Sequence, residues 1–125
     1  MTPSEVHAFA TRLMHEVWEP FKAEKLSEFY HADVVGHHRQ QTLSYKDLEN
    51  RLAWDRKNRT NQTFNITDII TEEDKFAIRF IFTAVEKTQN QQAPIEVIYF
   101  YHLRDRKISE FWLLASVEFD YKQRA

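Results

Sequence analysis

An α+β fold is the class this sequence predicts, with helices near the N-terminus packed against an antiparallel sheet that follows them. Three observations carry that prediction. Apolar residues recur at helical spacing in the first part of the chain. After Asn58 the period changes to alternation, the mark of strands. The segment from Ile95 to Tyr121 then holds two strand-length runs rich in Ile, Val, Phe, Tyr and Trp, on either side of the charged turn Arg104-Asp105-Arg106-Lys107.

Thr2, Pro3 and Glu5 make a helix start: a capping hydroxyl, a proline suited to the first helical position, and the acid of a capping box. Val6, Phe9, Ala10, Leu13, Met14 and Val17 then form one apolar face. Pro20 permits a break. A second short helix is expected from Phe21 to Tyr30, and a short strand from Val34 to Arg39. Ser44 and Asp47 suit the start of a third helix, running to Lys57 with Tyr45, Leu48 and Leu52 on one side. Phe64, Ile66, Asp68 and Ile70 alternate along the next strand, Asp74-Lys75 turns, and Phe76 to Lys87 is a long strand. A polar turn over Gln89 to Ala93 leads into the closing hairpin. That hairpin's turn lacks glycine, so it is not expected to be of the Asn-Gly kind.

The 125 residues read as a single domain over 1–125, large enough to bury a core without staples. Ten Phe, five Tyr and three Trp supply bulky side chains for a core or a pocket. The absence of cysteine excludes a disulfide framework and a thiolate metal site. His31, His37 and His38 have no carboxylate partner at helical spacing, so no metal is expected, and no cofactor either. A net charge of −2 with dispersed Lys and Arg gives no footprint for nucleic acid. The densest basic cluster, DRKNR at 55–59, reads as a solvated helix end. No apolar run reaches the ~18 residues a membrane span needs. Glu5, His7 and Arg12 interrupt the N-terminal apolar pattern, which is unlike a signal peptide, so a cytoplasmic location is expected. The Asn-x-Thr triplets at Asn58, Asn61 and Asn65 then read as polar chain rather than glycosylation sites.

Four stretches carry a resemblance: FYHADVV (29–35), LSYKDLENRL (43–52), FNITDIITEEDKFAIRFIFTAVE (64–86) and FYHLRDRKISEFW (100–112). In order and spacing they resemble the nuclear transport factor 2-like superfamily, in its SnoaL-like branch of polyketide cyclases related to ketosteroid isomerase. The resemblance implies a cone-shaped curved sheet with helices closing one end, and a pocket between them. One departure is Arg106, where relatives keep a glycine in the last turn. The resemblance also places candidate residues. The isomerase base falls on His38, and an imidazole can move a proton near neutral pH. The oxyanion-stabilising acid falls on Tyr99, whose phenol can donate a hydrogen bond. The cyclase acid, which follows a Trp on the last strand, falls on Leu113, which cannot exchange a proton. The tyrosine that the isomerases use on the first helix falls on Met14, with His15 beside it.

Each candidate has a plainer reading. His37 and His38 are neighbours on a strand and face opposite ways, so one meets the pocket or both are structural. Tyr99 is either an oxyanion donor or a core tyrosine with a satisfied hydroxyl, and Tyr101 is expected at the pocket. Arg79 either meets an anionic or carbonyl group in the pocket or pairs with a carboxylate outside it. Trp54 is expected at the pocket, or as a packing residue. Glu96 and Glu110 read as exposed or ion-paired.

The last two strands are apolar on both faces, and a sheet apolar on both faces must cover both. A homodimer through the outer face is expected, with Ile98, Phe100, Trp112 or Leu114 near its centre; the alternative cover is the C-terminal tail or the curvature of the strands. Three functions stay open: an isomerase- or cyclase-type enzyme acting on a small hydrophobic or carbonyl-containing molecule, a non-catalytic domain binding such a ligand, or a dimeric protein-interaction module.

Overall fold

The computed structural model describes residues 1–87 and 93–122. Helix α1 spans Pro3–Leu13 and opens with the expected capping box: Glu5 N–H donates to Thr2 Oγ1 at 3.1 Å, and Thr2 N–H donates to Glu5 Oε1 at 2.9 Å. Its buried side chains are Val6, Phe9, Ala10 and Leu13, the predicted apolar face. The helix then widens into a π-helical turn, Met14–Trp18, which buries Met14, Val17 and Trp18. Beyond Pro20 the chain bends through Phe21, at φ 53°, into a short 3₁₀ helix, Ala23–Glu28.

This helix is shorter than expected. Tyr30 already belongs to β1 (Tyr30–His38), so the strand begins there rather than at Val34. The aromatic pair Phe29-Tyr30 is buried by the sheet, which outweighs any local helical preference. A further strand, β2 (Gln41–Leu43), had no sequence signal because three residues show no period. Helix α2 (Tyr45–Asn58) starts with a second capping box, between Ser44 and Asp47. The strands β3 (Arg59–Glu72), β4 (Lys75–Glu86), β5 (Ile95–Arg104) and β6 (Lys107–Ala115) follow. The turn expected over 89–93 lies largely outside the described residues.

The strands form one curved, open sheet in the order β2-β1-β6-β5-β4-β3. The expected antiparallel pairing holds from β3 to β6, and the unexpected β2 also pairs antiparallel with β1. The sheet as a whole is mixed, because β1 lies parallel to β6, pairing His38 with Leu113 and Gly36 with Phe111. A parallel pair needs a long crossover, and here nearly the whole chain between β1 and β6 provides it. Gly36 is the chain's only glycine, and a Cβ added there would sit 2.2 Å from the Phe111 ring, so the closeness of this pair depends on it.

The final hairpin corrects one expectation. Its two turn residues, Asp105 and Arg106, adopt φ 50° and 67°, the doubly left-handed geometry of Asn-Gly turns, without glycine. Arg106 ties the turn to the start of α1 through Glu5, at 3.0 Å. The Thr2 backbone hydrogen bond, followed by the Arg106 hydrogen bond, holds the Glu5 carboxyl down at about 2. The core lies between the inner face of the sheet and the helices, with T-shaped aromatic contacts such as Phe9–Phe29 at 5.2 Å.

Candidate functional site

Alternation along β4, β5 and β6 turns Phe80, Phe82, Val97, Tyr99 and Leu113 to the inner face. There they line a cavity of about 400 Å³. Its other walls are α2, through Trp54, and the segment after β6, through Val117, Phe119 and Tyr121. Trp18 and Phe64 complete an aromatic lining.

One wall is charged. Arg51, Asp55 and Arg59 recur every fourth residue, so the last two turns of α2 and the residue after it present them as one stripe. Asp55 accepts from Arg51 Nε at 3.3 Å and from Arg59 Nη1 at 2.5 Å; Arg59 Nη2 reaches Glu86 at 3.2 Å. Both guanidiniums lie near aromatic faces, Arg59 4.8 Å and Arg51 5.3 Å from the Trp54 ring. Burial pushes the Asp55 carboxyl up, against the pull of Arg51 and Arg59. Here the sequence expectation fails. The cluster at 55–59 is not a solvated helix end: Asp55 and Arg59 are buried, and only Arg56 and Lys57 between them face water. The signal was the i,i+4 spacing of alternating charges, which buried partners can satisfy as well as water can.

A second polar group sits deeper. Trp18 Nε1 donates to the Tyr30 hydroxyl at 3.2 Å. Tyr99 and Tyr101 stack at 5.2 Å between ring centres. The Tyr101 and Tyr121 hydroxyls are buried with no hydrogen-bond partner, close enough to Tyr30 and Tyr99 to influence their ionisation. Burial pushes the Tyr99 phenol up to about 12, and Tyr30, Tyr101 and Tyr121 are raised too. All four are therefore neutral donors across the physiological range.

The candidate residues divide. Tyr99, Trp54 and Leu113 line the cavity. Tyr101 and Met14 are fully buried behind it and are not part of its wall. Arg79 is on the opposite face of the sheet, where it pairs with Asp68 at 2.6 Å and Glu96 at 2.8 Å. Its β4 position has the parity opposite to Phe80 and Phe82, which is why it cannot reach the pocket. His37 and His38 face opposite ways as expected: His37 meets Glu110 at 2.7 Å and stacks on Trp112 outside, whereas His38 is buried inside. His38 does not line the cavity. The Phe119 ring covers it at 4.5 Å, and its Nδ1 is buried without a partner. Burial, then Arg39 and Arg51, lower its pKa, with Asp120 opposing. The sequence reading missed Trp18, Arg51, Arg59, Phe119 and Tyr121 as lining residues.

No described helix is long and apolar enough to cross a membrane, and no metal-ligating cluster occurs among the described residues.

The fold has many relatives among solved structures. PrhC from Penicillium brasilianum superposes with a TM-score of 0.81 at 13% identity, over 93% of this chain and 83% of that one. AclR, a proposed hydroxylase from Streptomyces galilaeus, gives 0.80 at 18% identity, over 91% and 80%. A proposed polyketide cyclase from Acidithiobacillus ferrooxidans gives 0.77 at 17% identity, over 93% and 92%. At such identities these likenesses establish the fold alone. No curated protein matches the chain by sequence. The sequence profile of the SnoaL-like polyketide cyclases matches residues 8–117, nearly the full length, and the chain therefore belongs to that family.

Proposed function

We propose that the inner cavity binds a small, largely apolar, neutral molecule carrying a carbonyl group, and that the Tyr99 hydroxyl donates a hydrogen bond to that carbonyl. The observation that carries this reading is a buried phenol, kept neutral, on the apolar and aromatic wall of the cavity. Neutrality of the ligand is argued from the charged wall: Arg51 and Arg59 are paired with Asp55 and Glu86, with only Arg59 Nε left buried and without a partner, and Glu118 adds a further carboxylate to the lining. If the site is catalytic, the chemistry is proton transfer next to the carbonyl. His38 takes the proton and Tyr99 steadies the negative charge left on oxygen. Leu113 stands where the cyclases of the family keep an acid, so no second proton donor comes from that position.

The test is hydrogen–deuterium exchange next to the carbonyl of neutral aryl ketones in heavy water, followed by NMR. The expected result is protein-dependent exchange that falls by ~100-fold in Tyr99→Phe and in His38→Ala. Exchange that persists in both variants refutes the catalytic assignment. A second reading, binding without catalysis, is favoured by Leu113 and by the Phe119 ring over His38. It predicts ketone binding with no exchange above buffer.

The outer face is proposed to associate with a second copy of the chain. It exposes Ile98, Phe100, Trp112 and Leu114 side by side, and the tail expected as the alternative cover packs Phe119 and Tyr121 on the inner side instead.

A further inference from the structure

A carbonyl oxygen carries two lone pairs, and the Tyr99 hydroxyl can donate to only one of them. Arg51 and Arg59 line the same cavity, and they differ in what they have left to donate. Arg59 commits Nη1 to Asp55 and Nη2 to Glu86, and its Nε is sealed without a partner. Arg51 donates through Nε to Asp55 and through Nη1 to Asp120 O, each at 3.3 Å. Its Nη2 makes no hydrogen bond among the described residues, yet it is not one of the sealed, unpartnered atoms. Two N–H groups therefore remain available on a buried guanidinium that forms part of the cavity wall.

That guanidinium is held in place. The Trp54, Phe119 and Tyr121 rings surround it, their centres 5.3, 5.3 and 5.7 Å away. Asp55 and the Asp120 carbonyl fix two of its three nitrogens. It also acts at the phenol: burial raises the Tyr99 pKa, and Tyr121 and then Arg51 pull it back.

We propose that Arg51, through Nη2, is the second hydrogen-bond donor to the oxygen that Tyr99 holds, so that the ligand's carbonyl sits in a clamp of one phenol and one guanidinium. The proposal rests on the reading of the cavity as a carbonyl site and adds a catalytic residue to it. When a base takes the proton next to the carbonyl, the C–H electron pair forms a C=C bond and the carbonyl π pair moves onto oxygen. Return of a proton to carbon reverses both shifts, with no net change. Arg51 keeps its own proton throughout, so it does not replace the acid missing at Leu113. It holds the charge that develops on oxygen. A charged donor fixed in advance interacts more strongly with the enolate than with the neutral ketone, which is what lowers a barrier.

The experiment reads the carbonyl stretch of bound acetophenone in isotope-edited infrared difference spectra. In the wild type the stretch is expected below its value in hexane. Arg51→Met, which keeps the apolar stem and loses the donors, should move it part of the way back, and any exchange catalysed at the methyl group should fall by ~100-fold. Arg51→Met combined with Tyr99→Phe should restore the hexane value. Arg51→Lys keeps a charge and a donor but not the planar fork; it should recover part of the shift, and it serves where the methionine variant does not fold. A role confined to holding Asp120 and the surrounding rings would weaken binding and leave the stretch of the ligand still bound unchanged, and that result overturns the proposal. Failure of the Tyr99 reading looks different: Tyr99→Phe then leaves the stretch where it is, while the Arg51 variants still move it. A wild-type stretch equal to that in hexane, or no binding of acetophenone, refutes both.

Discussion

The two faces of the β5–β6 hairpin are built from the same kinds of residue and have different fates. On the inner face Val97, Tyr99, Tyr101, Phe111 and Leu113 are buried. On the outer face Ile98, Phe100, Trp112 and Leu114 stand exposed, Leu114 to 70%. Alternation alone puts them on opposite sides, and nothing in their chemistry says which side is the core. The helices decide that: they cover one face and leave the other bare. The difference also extends to the histidines. His37 on the outside has Glu110 and Trp112 for company, whereas His38 inside has an aromatic cover and an unpartnered nitrogen.

Substitution on each face sharpens the contrast. The largest effect is expected for Phe111→Ala, which empties a fully buried ring position against Gly36, Tyr30 and Tyr101. It should cost about 3–5 kcal/mol in chemical denaturation, as large-to-small core changes do; a loss under about 1 kcal/mol would mean that this face is not the core. Next comes Tyr99→Phe, which keeps the ring and removes the donor. It should leave the denaturation midpoint nearly unchanged while lowering any ketone exchange by ~100-fold. A large stability loss instead would recast Tyr99 as a structural hydrogen-bonding residue.

Smaller effects belong to the outer face. Leu114→Glu should change monomer stability by no more than about 0.5 kcal/mol, because the site is exposed. It should weaken self-association by about tenfold or more in sedimentation, because an unpaired charge would be desolvated in the interface. A wild-type protein that sediments as a monomer at micromolar concentration removes the basis for that expectation. The smallest effect is a pH slope. The His38 pKa is lowered in the folded state, so the unfolded chain takes up the proton first as pH falls. Stability should therefore be fully present above about 6.5 and decline below it, toward the lowered value in the folded protein. His38→Gln should flatten that decline; an identical slope in both proteins would show that His38 is not held neutral by burial.

Much of the fold was legible because its signals are local. The capping box of Thr2 with Glu5 and the helix start at Ser44 and Asp47 are read from spacing, and both recur as reciprocal cap hydrogen bonds. The change of period after Asn58 is read the same way and recurs as the helix-to-sheet boundary. The missed parts are those that depend on distant partners. The parallel pairing of β1 with β6 joins Gly36 to Phe111 across most of the chain. The left-handed Asp105-Arg106 turn lacks the glycine by which such turns are recognised, and its anchor, Glu5, lies at the other end of the sequence.

The sequence by itself determined the class of fold and the alternation that separates inner from outer residues along each strand. These follow from the fixed periods of helix and strand, which every residue carries in its position along the chain. The tertiary structure alone decided that Arg51, Asp55 and Arg59 are buried, that Arg79 belongs outside with Asp68 and Glu96, and that Phe119 comes between His38 and the cavity. A period says which way a side chain points, but not what lies in that direction. What lies there is set by packing between segments far apart in the chain, which no local pattern records.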